Sequence, residues 1–424
     1  NFDGSNETIL DGSDVDITAI SNGYLTYGVT SQYSKNAKVK IFSDKDTTIK
    51  AITDFGQSYA VNVANGNIKI ESNRDSIIEA FRNNEEGEAI AISTEVIGTD
   101  YENVISIESN RNTLVYASNI AVFTDGENSK VNIEANTGSN IVAAGDILNG
   151  YGKSYAINAI GQSDVDLTAG ETNLLRGAIY ASGSTGTDKT DVTLGGTSNM
   201  VLSNAYIANA GGLKDKNVIS ALYAEKGAHI ELDGDYNLLG TYADSESPDL
   251  ERVAWAYDTA DINITGLTAI STDSYHLAID GNSKDIAVAA GTATGLEKLT
   301  PEEILDYRGD RANVDINYES DSSITGDILS AYAGTVNITA NGENTRAASD
   351  AKIDIRGNLL AGNNGILNVD LGKGGVLTGR VDDYGDAGLN TGHGAATGTE
   401  NSFFNPAFSS EIIANGTVNL TMGK

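Results

Sequence analysis

The sequence predicts an all-β fold, a right-handed parallel β-helix with three short strands per coil and loop insertions, because three segment types recur in order. The first alternates branched apolar residues with polar ones, as in Val131-Asn132-Ile133. The second begins with Asn and continues with two aliphatic residues, as in Asn140-Ile141-Val142. The third is rich in Ala and often aromatic, as in Ala221-Leu222-Tyr223-Ala224. Self-similarity at such a period is typical of solenoids.

The first segment type can be followed along the chain and predicts one strand in each coil. We place in this series the segments from Val15-Asp16-Ile17 to Leu367-Asn368-Val369, including Ile353-Asp354-Ile355. Because neighbouring residues of a strand point to opposite sides, the aliphatic residues should face inward and the middle residue outward. Coils stack about 4.8 Å apart, so we expect interior ladders of Val, Ile and Leu.

The Asn that opens the second segment type predicts a ladder of its own. It recurs as Asn140, Asn173, Asn199 and Asn237. Asn tolerates the backbone conformations of turns, and its side-chain amide can bond to the equivalent amide in the coils above and below. We therefore expect one such Asn near a turn in several successive coils.

Interruptions of the repeat predict loops that project from a single domain covering 1–424. The interruptions span about 241–252, 287–312 and 382–410. Within the longest, Leu299–Leu305 has the Thr-Pro start and the early acidic residues of a helix N-terminus. Insertions in solenoids are often on the face that binds a partner.

Composition restricts the partners and the location that we expect. The chain has 424 residues, a net charge of −32 and no Cys, so no disulfide framework is possible. Nucleic acids and anionic membranes are disfavoured partners, because both are polyanions. No segment approaches the roughly 18 apolar residues of a membrane helix, and no signal peptide is visible at Asn1. We expect a processed fragment of a longer protein that does not itself insert into a membrane.

The C-terminal third carries segments that are similar to those of a known family. They are Ser323-Ile324-Thr325-Gly326-Asp327-Ile328, Gly334-Thr335-Val336-Asn337-Ile338, Gly365-Ile366-Leu367-Asn368-Val369-Asp370-Leu371 and Leu377-Thr378-Gly379-Arg380-Val381. This pattern resembles the passenger domain of a bacterial autotransporter, exported by type V secretion, and the resemblance covers essentially the whole chain. Passengers commonly carry such coils before a folding-promoting segment and a translocator barrel, neither of which is present in this sequence.

The resemblance implies an extracellular protein at the surface of a Gram-negative bacterium, anchored to the outer membrane through the translocator barrel. It implies an adhesin whose partner is a host-cell receptor, a matrix protein or a glycan. Self-association with copies on neighbouring cells, leading to aggregation or biofilm, is a further implied partnership. Because each copy is strongly acidic, salt or divalent cations should promote contact between copies.

Catalytic candidates are few, and we expect no enzymatic activity, no cofactor and no bound metal. A serine-protease Gly-Asp-Ser-Gly segment is absent, and for two of the three His residues, His229 and His276, we favour a structural role. The pair Asp382-Asp383 with Gly392-His393-Gly394 resembles the site of β-helix polysaccharide hydrolases, but no Arg-x-Lys follows. A polysaccharide-degrading hydrolase or lyase therefore remains the first alternative. The second is a passive stalk that displays a separate tip domain.

Two sequence features are candidates for binding. Arg308, Gly309 and Asp310 form an integrin-recognition triplet inside the longest insertion. Tyr residues recur in the third segment type and form either an exposed track for sugars or rings stacked along the wall. Their alternation is inconsistent. By alternation along the strand, Tyr155 points to the same side as Ile157, whereas Tyr180 points to the opposite side from Ile179.

Overall fold

The computed structural model describes residues 7–32, 37–84, 87–95, 102–145, 154–183, 189–207, 218–242, 250–272, 285–291, 311–331, 333–340, 351–362, 364–379, 381–383 and 417–421. The chain forms two compact units, Asn1–Val201 and Leu202–Lys424, called unit 1 and unit 2 below. The described residues are all-β and contain no helix. In both units parallel strands stack in chain order, which confirms the predicted parallel β-helix.

Five coils of unit 1 contribute three strands each, and the long strands β16 and β18, with the short β17 between them, continue the stack. In chain order the strands are β1 (Glu7–Gly12), β2 (Val15–Ser21), β3 (Leu25–Ser31), β4 (Lys38–Ser43), β5 (Thr47–Thr53), β6 (Gln57–Val63), β7 (Gly66–Ser72), β8 (Ser76–Arg82), β9 (Glu88–Glu95), β10 (Asn103–Ser109), β11 (Thr113–Ala117), β12 (Ile120–Asp125), β13 (Ser129–Ala135), β14 (Asn140–Ala144), β15 (Tyr155–Ile160), β16 (Asp164–Arg176), β17 (Ala178–Ser182) and β18 (Asp191–Ser203).

Each coil of unit 1 therefore has three faces. The first face is β1, β4, β7, β10, β13 and the start of β16; the second is β2, β5, β8, β11, β14 and the end of β16; and the third is β3, β6, β9, β12, β15 and β17. All of these pairings are parallel and connect successive coils. β16 runs around the corner from the first face to the second, so these two faces form one continuous sheet.

Unit 2 repeats the three-faced arrangement. Its strands are β19 (Tyr206–Ile207), β20 (Val218–Glu225), β21 (His229–Thr241), β22 (Leu250–Tyr257), β23 (Asp261–Ser271), β24 (Asp285–Gly291), β25 (Asn313–Tyr318), β26 (Ser322–Thr325), β27 (Asp327–Ala331), β28 (Thr335–Ala340), β29 (Ile353–Arg356), β30 (Leu359–Ala361), β31 (Ile366–Asp370), β32 (Val376–Thr378), β33 (Val381–Asp383) and β34 (Thr417–Thr421). Within this unit β19 pairs with β20 in the antiparallel sense, and the pairings from β20 to β34 are parallel.

The predicted interior ladders of aliphatic residues are present. On the first face of unit 1 the ladder is Ile41, Ile70, Ile107, Ile133 and Leu167, each almost completely buried. Burying one such side chain stabilises the fold by about 2 kcal/mol. Because successive coils each add a rung to this ladder, the core of unit 1 grows by repetition.

The predicted Asn ladder is also present, and it lies inside the corner between the first and second faces. Asn140 donates from Nδ2 to Oδ1 of Asn173, and Asn173 donates from Nδ2 to Oδ1 of Asn199, both at 2.9 Å. All three side chains are fully buried. In unit 2, Asn237 lies in the same place on β21 and donates to the backbone oxygen of Thr265 at 2.7 Å.

Earlier coils of unit 1 fill this corner with hydroxyl groups, which the sequence analysis missed. Ser72 donates to Thr47 at 2.7 Å, Ser109 donates to Ser76 at 2.8 Å, and Thr113 donates to Ser109 at 3.0 Å. In the strand register Thr113 occupies the position of Asn140. A buried column of polar side chains therefore runs through unit 1, first as hydroxyls and then as amides.

Two strands predicted for the first face belong to the second. Val15-Asp16-Ile17 lies in β2, which pairs with β5, and the first-face strand of that coil is β1. Ile353-Asp354-Ile355 lies in β29, which pairs with β26 and β32. Second-face strands show the same apolar–polar–apolar alternation, so alternation alone cannot identify the face. The pairing partner decides it.

The boundaries of the predicted insertions need correction wherever the structure describes them. Residues 250–252 begin β22, residues 287–291 belong to β24, and Asp382 and Asp383 end β33. The short Ala-rich run of β24 is a buried third-face strand and not part of a loop. Thr241 ends β21, and residues 242, 311 and 312 are described outside the strands. The remaining parts, 243–249, 292–310 and 384–410, which include the predicted helix start, lie outside the described residues.

Several third-face strands are buried on both sides, unlike those of the other two faces. All residues of β20 are buried, and so are Ser58 to Val63 of β6. On the first and second faces, buried and partly exposed residues alternate, as in β7 and β8. The outward side chains of the first and second faces are therefore surfaces that a partner can reach.

Candidate binding surfaces

Most of the sequence-predicted site residues fall outside the part of the chain that the structure describes. These include Arg308, Gly309 and Asp310, as well as His276 and His393. The backbones of Asp382 and Asp383 lie in β33, but their side chains are outside the description. His229 is described: it lies at the start of β21, with Nε2 3.9 Å from Oε2 of Glu231 on the outer surface.

The Tyr rings of the third face are stacked along the wall. Tyr27 and Tyr59 have ring centroids 5.4 Å apart and nearly parallel planes. Tyr59 is only 6% exposed and Tyr223 only 1%, so neither ring presents an open surface to a sugar. Burial, reinforced by the nearby Glu95 and Glu88, raises the pKa of Tyr59 well above its usual value. Of the two alternatives, these rings fit the structural one.

A β-bulge explains the inconsistent alternation of these Tyr residues. The register of β15 against β17 shifts between Tyr155 and Ile157. One extra residue changes the side to which the following residues point. Tyr155 and Tyr180 therefore lie on the same side, with ring centroids 5.9 Å apart. The prediction that Tyr155 shares a side with Ile157 is wrong.

Carboxyl groups at the end of the third face are stacked on one another. Glu95 of β9 and Asp125 of β12 are partners in the strand register. Burial raises the pKa of both, and for Glu95 the neighbouring charge of Asp125 raises it further. A raised carboxyl pKa opposes folding at neutral pH, and this opposition is relieved as the pH falls through the raised value.

A row of polar side chains covers the outer first face of unit 2. Asn337 donates from Nδ2 to Oδ1 of Asp315 at 2.6 Å, and Asn368 donates to Asn337 at 2.7 Å. Asn419 continues the row by donating to Asn368 at 2.7 Å. The four residues occupy equivalent middle positions on β25, β28, β31 and β34. We call them the outer amide ladder.

The outer first face of unit 1 is charged rather than amide-rich. Lys40 Nζ lies 2.6 Å from Oε1 of Glu7, and Lys130 Nζ lies 2.8 Å from Oδ2 of Asp166. A hydrogen bond to Asp166 raises the pKa of Lys130. Exposed pairs of this kind contribute little to stability, about 0 to 1 kcal/mol each. These ion pairs mainly determine the pattern of surface charge on this face, which a binding partner would contact.

Ion pairs also connect successive coils at the turn between the first and second faces. In each pair the basic residue contacts an Asp of the coil before it: Lys45 to Asp14, Arg74 to Asp46 and Arg111 to Asp75. Arg111 Nε lies 3.3 Å from Asp75 Oδ1, which also accepts from the backbone N–H of Asn112 at 3.0 Å. We call this series the corner ion-pair ladder.

Changing Asp75 to Asn should destabilise unit 1 by about 0.5 to 1 kcal/mol at pH 7, since Arg111 is half exposed and solvent screens the pair. Burial raises the pKa of Asp75, but hydrogen bonds from Arg111 and Asn112 outweigh it and hold the pKa below the usual range. The stabilisation is therefore present above the unfolded pKa of about 3.9 and disappears as the pH falls through the lowered value. Urea unfolding of both proteins between neutral and acidic pH measures this difference.

The matched control is Asp14→Asn, at the more exposed end of the same ladder. It should leave the unfolding midpoint unchanged at neutral pH. An equal loss in both variants, or a loss for Asp75→Asn that persists at low pH, contradicts the assignment to the Asp75–Arg111 pair.

An open groove of about 280 Å³ lies beside the corner ion-pair ladder. Its lining residues are Phe42, Ser43, Asp44, Glu71, Ser72, Asn73, Glu108, Asn110 and Asn136. Glu71 accepts a 2.6 Å contact from Lys69, whose Nζ is 4.0 Å from Glu108. The hydrogen bond to Glu71 raises the pKa of Lys69. Since one cation engages both glutamates, they form an ion-paired cluster rather than a separated acid and base.

One row on the outer second face of unit 1 is apolar from β8 to β18. Ile77, Leu114, Ile141 and Leu174 are register partners on β8, β11, β14 and β16, and Met200 follows the last Asn of the buried ladder on β18. Each points away from the core, because the next residue on its strand is fully buried. We call these five residues the apolar column. From the sequence, Ile141, Leu174 and Met200 were recognisable only as aliphatic residues that follow an Asn, and Ile77 and Leu114 were not singled out.

Among the described residues, no group of three or more His, Cys, Asp and Glu side chains is arranged to hold a metal ion. No helix in the same part of the chain has the length and apolar character needed to cross a membrane. In comparison with known proteins, neither a family model, nor a curated protein, nor a solved structure matches this chain.

Proposed function

We propose that this protein is a non-catalytic adhesin at the surface of a Gram-negative bacterium, of the autotransporter passenger type. It attaches the bacterium to a host cell, to matrix or to another bacterium. The single observation that carries this proposal is the outer amide ladder, a regular row of polar side chains on a surface that a partner can reach.

The amide ladder has the physical properties that multivalent attachment needs. Its side chains are already held by hydrogen bonds to one another, so binding costs less rotamer entropy than it would for free side chains. Each new hydrogen bond to a partner contributes only about 0.5 to 1.5 kcal/mol. The row extends over four successive coils, so several such bonds act together once the first has formed.

Charge and the acidic groove also favour adhesion over catalysis. A net charge of −32 disfavours polyanionic partners at low salt and makes attachment sensitive to ionic strength. The glutamates of the open groove share Lys69, whereas a glycosidase needs one protonated carboxyl and one free carboxylate flanking the sugar.

Beads coated with the chain of residues 1–424 provide the test. We expect them to attach to host epithelial cells, to matrix-coated wells or to each other more than albumin-coated beads do. Replacing Asn337 and Asn368 together with alanine should weaken attachment to cells or matrix, because it interrupts the amide ladder. The control is Asn132→Ala on the outer first face of unit 1, which should attach like the unmodified chain.

Two outcomes overturn the proposal. Coated beads that bind no cell, matrix or second bead favour a passive stalk. Release of reducing or unsaturated sugars from polysaccharide by the purified chain favours the enzymatic alternative. The Arg308-Gly309-Asp310 triplet is tested separately with Asp310→Glu: cell attachment that is unchanged removes it from the proposal.

A further inference from the structure

The apolar column lies where a soluble solenoid ordinarily places polar residues. Its five side chains follow one another across five successive coils, a length of about 19 Å at 4.8 Å per step. Ile141 at the centre is 37% exposed. Contiguous outward apolar side chains on a soluble protein are a mark of an interaction surface.

A comparison with the first face of the same coils shows that the column is specific to the second face. At the equivalent outward positions the first face carries Lys69, Ser106, Asn132 and Asp166. Beside the column, the next outward row adds Tyr116 and Ala143, so the apolar strip is two residues wide over part of its length.

The distribution of charged side chains around the apolar strip indicates which partner can bind there. On the second face, the outward side chains of β11, β14 and residues 172–176 and 198–201 include no carboxylate. On the first face, by contrast, Glu71, Glu108 and Glu134 are register partners in one outward row. Two copies of a chain with a charge of −32 repel each other over most of their surface. On β8 the outward residue after Ile77 is Glu79, whose Oε2 lies 3.3 Å from Nζ of Lys50. From β11 onward, the second face of unit 1 is a place where two copies can meet without opposing carboxylates.

We propose that the apolar column of unit 1 is a self-association surface that packs against the same column of a second copy. This contact names one partner for the proposed adhesive function, a second copy of the chain. The contact itself is argued from the structure, and only its biological role rests on the proposed function. A two-fold axis through the centre of the column brings Ile141 against Ile141 of the partner. The two outer sheets then pack face to face about 10 Å apart.

The area of the strip indicates a weak contact. Its footprint is on the order of 300 to 400 Å² per copy, below the roughly 800 Å² per partner of a stable interface. The chain is therefore expected to be mostly monomeric in dilute solution. On a bacterial surface many copies act at once, and multivalency converts the weak contact into firm attachment between cells.

The absence of Cys allows a direct test by disulfide trapping. The chain contains no Cys, so a single introduced thiol reports only on its own position. The full chain with Ile141→Cys, oxidised at high protein concentration, should give about tenfold more disulfide-linked dimer than Asn132→Cys, since the contact raises the local thiol concentration. Asn132 lies at an outward position on the first face of the same coil. Equal yields from the two variants overturn the proposal.

Charge variants provide the second arm and exclude misfolding as an explanation. Ile141→Asp and Ile141→Lys should each abolish aggregation of coated beads, because like charges then meet at the axis. Mixing beads that carry the two variants should restore aggregation, which a folding defect cannot do. Asn132→Asp, which adds the same charge on the first face, should aggregate like the unmodified chain.

The self-association proposal and the adhesive function can fail separately. If bead-to-bead aggregation survives Ile141→Asp, the apolar column is not the self-association surface, whatever the beads do on host cells. If aggregation depends on Ile141 but coated beads bind neither cells nor matrix, attachment is confined to contacts between bacteria.

Discussion

Replacing Asn173 with alanine should lower the free energy of unfolding by about 2 to 4 kcal/mol, one of the largest effects expected of a single substitution in this protein. The Asn173 amide donates to Asn199 and to the backbone oxygen of Gly195, and its Oδ1 accepts from Asn140, all at 2.9 Å. The position is sealed from water, so water cannot replace the lost bonds. Urea denaturation followed by far-UV circular dichroism measures the change.

Asn132→Ala is the matched control, because it removes the same chemical group from an outward position on β13. Its expected effect is within about 0.5 kcal/mol, as for most surface substitutions. If the two variants unfold at the same urea concentration, the buried amide ladder does not stabilise unit 1 in the way that its hydrogen bonds indicate.

The second large effect is expected for Gly357→Ala in unit 2. Gly326, Gly357 and Gly379 follow register-paired residues at the ends of β26, β29 and β32, so the three glycines stack at one corner. A Cβ atom on Gly357 lies 2.1 Å from the backbone oxygen of Gly326 in the preceding coil. Backbone atoms cannot move aside as a flexible side chain can, so we expect a loss of about 3 kcal/mol or more.

Gly374→Ala separates this collision from conformational strain. Gly374 has a φ of +85°, but a Cβ atom placed there meets no other atom within 4 Å. Its substitution should cost only about 1 kcal/mol, the usual price of a non-glycine residue at positive φ. A similar thermal midpoint for Gly357→Ala and Gly374→Ala contradicts the proposed role of coil stacking.

This glycine stack supplies a physical reason for the Thr-Gly motifs that stand out in the C-terminal third of the sequence. Gly326 and Gly379 belong to the motifs singled out in the sequence, whereas Gly357 follows Arg356 and was not. All three positions bring backbone close to backbone between coils. In unit 2, the motif therefore reports on coil stacking, and it carries no information about a ligand.

The interior of the protein was predictable from the sequence, because it depends on a local period. Alternation of two residues determines which side chains point inward, and the repeat places Ile107 over Ile70 and Ile133 over Ile107. The ladder formed by the Asn of the second segment type was predictable for the same reason, because this Asn recurs directly before the two aliphatic residues of its strand.

The outer surface was less predictable, because it depends on which residues of different coils become neighbours. Arg111 and Asp75 are far apart in the sequence, and only the register of β8 and β11 brings their turns together. The apolar column has the same origin: each of its members is an unremarkable aliphatic residue until five coils align them. Candidate site residues in the insertions could be named from the sequence, but no repeat predicts their neighbours.

By itself, the sequence determined that this chain forms coils of short parallel strands with aliphatic ladders and a buried Asn ladder, because strand alternation and the coil repeat are written in consecutive residues. Only the tertiary structure decided that Val15 and Ile353 belong to the second face, that a bulge brings Tyr155 beside Tyr180, and which outward side chains form rows. The reason is that the register between coils depends on which strands pair, and paired residues are separated in the sequence by the length of a whole coil.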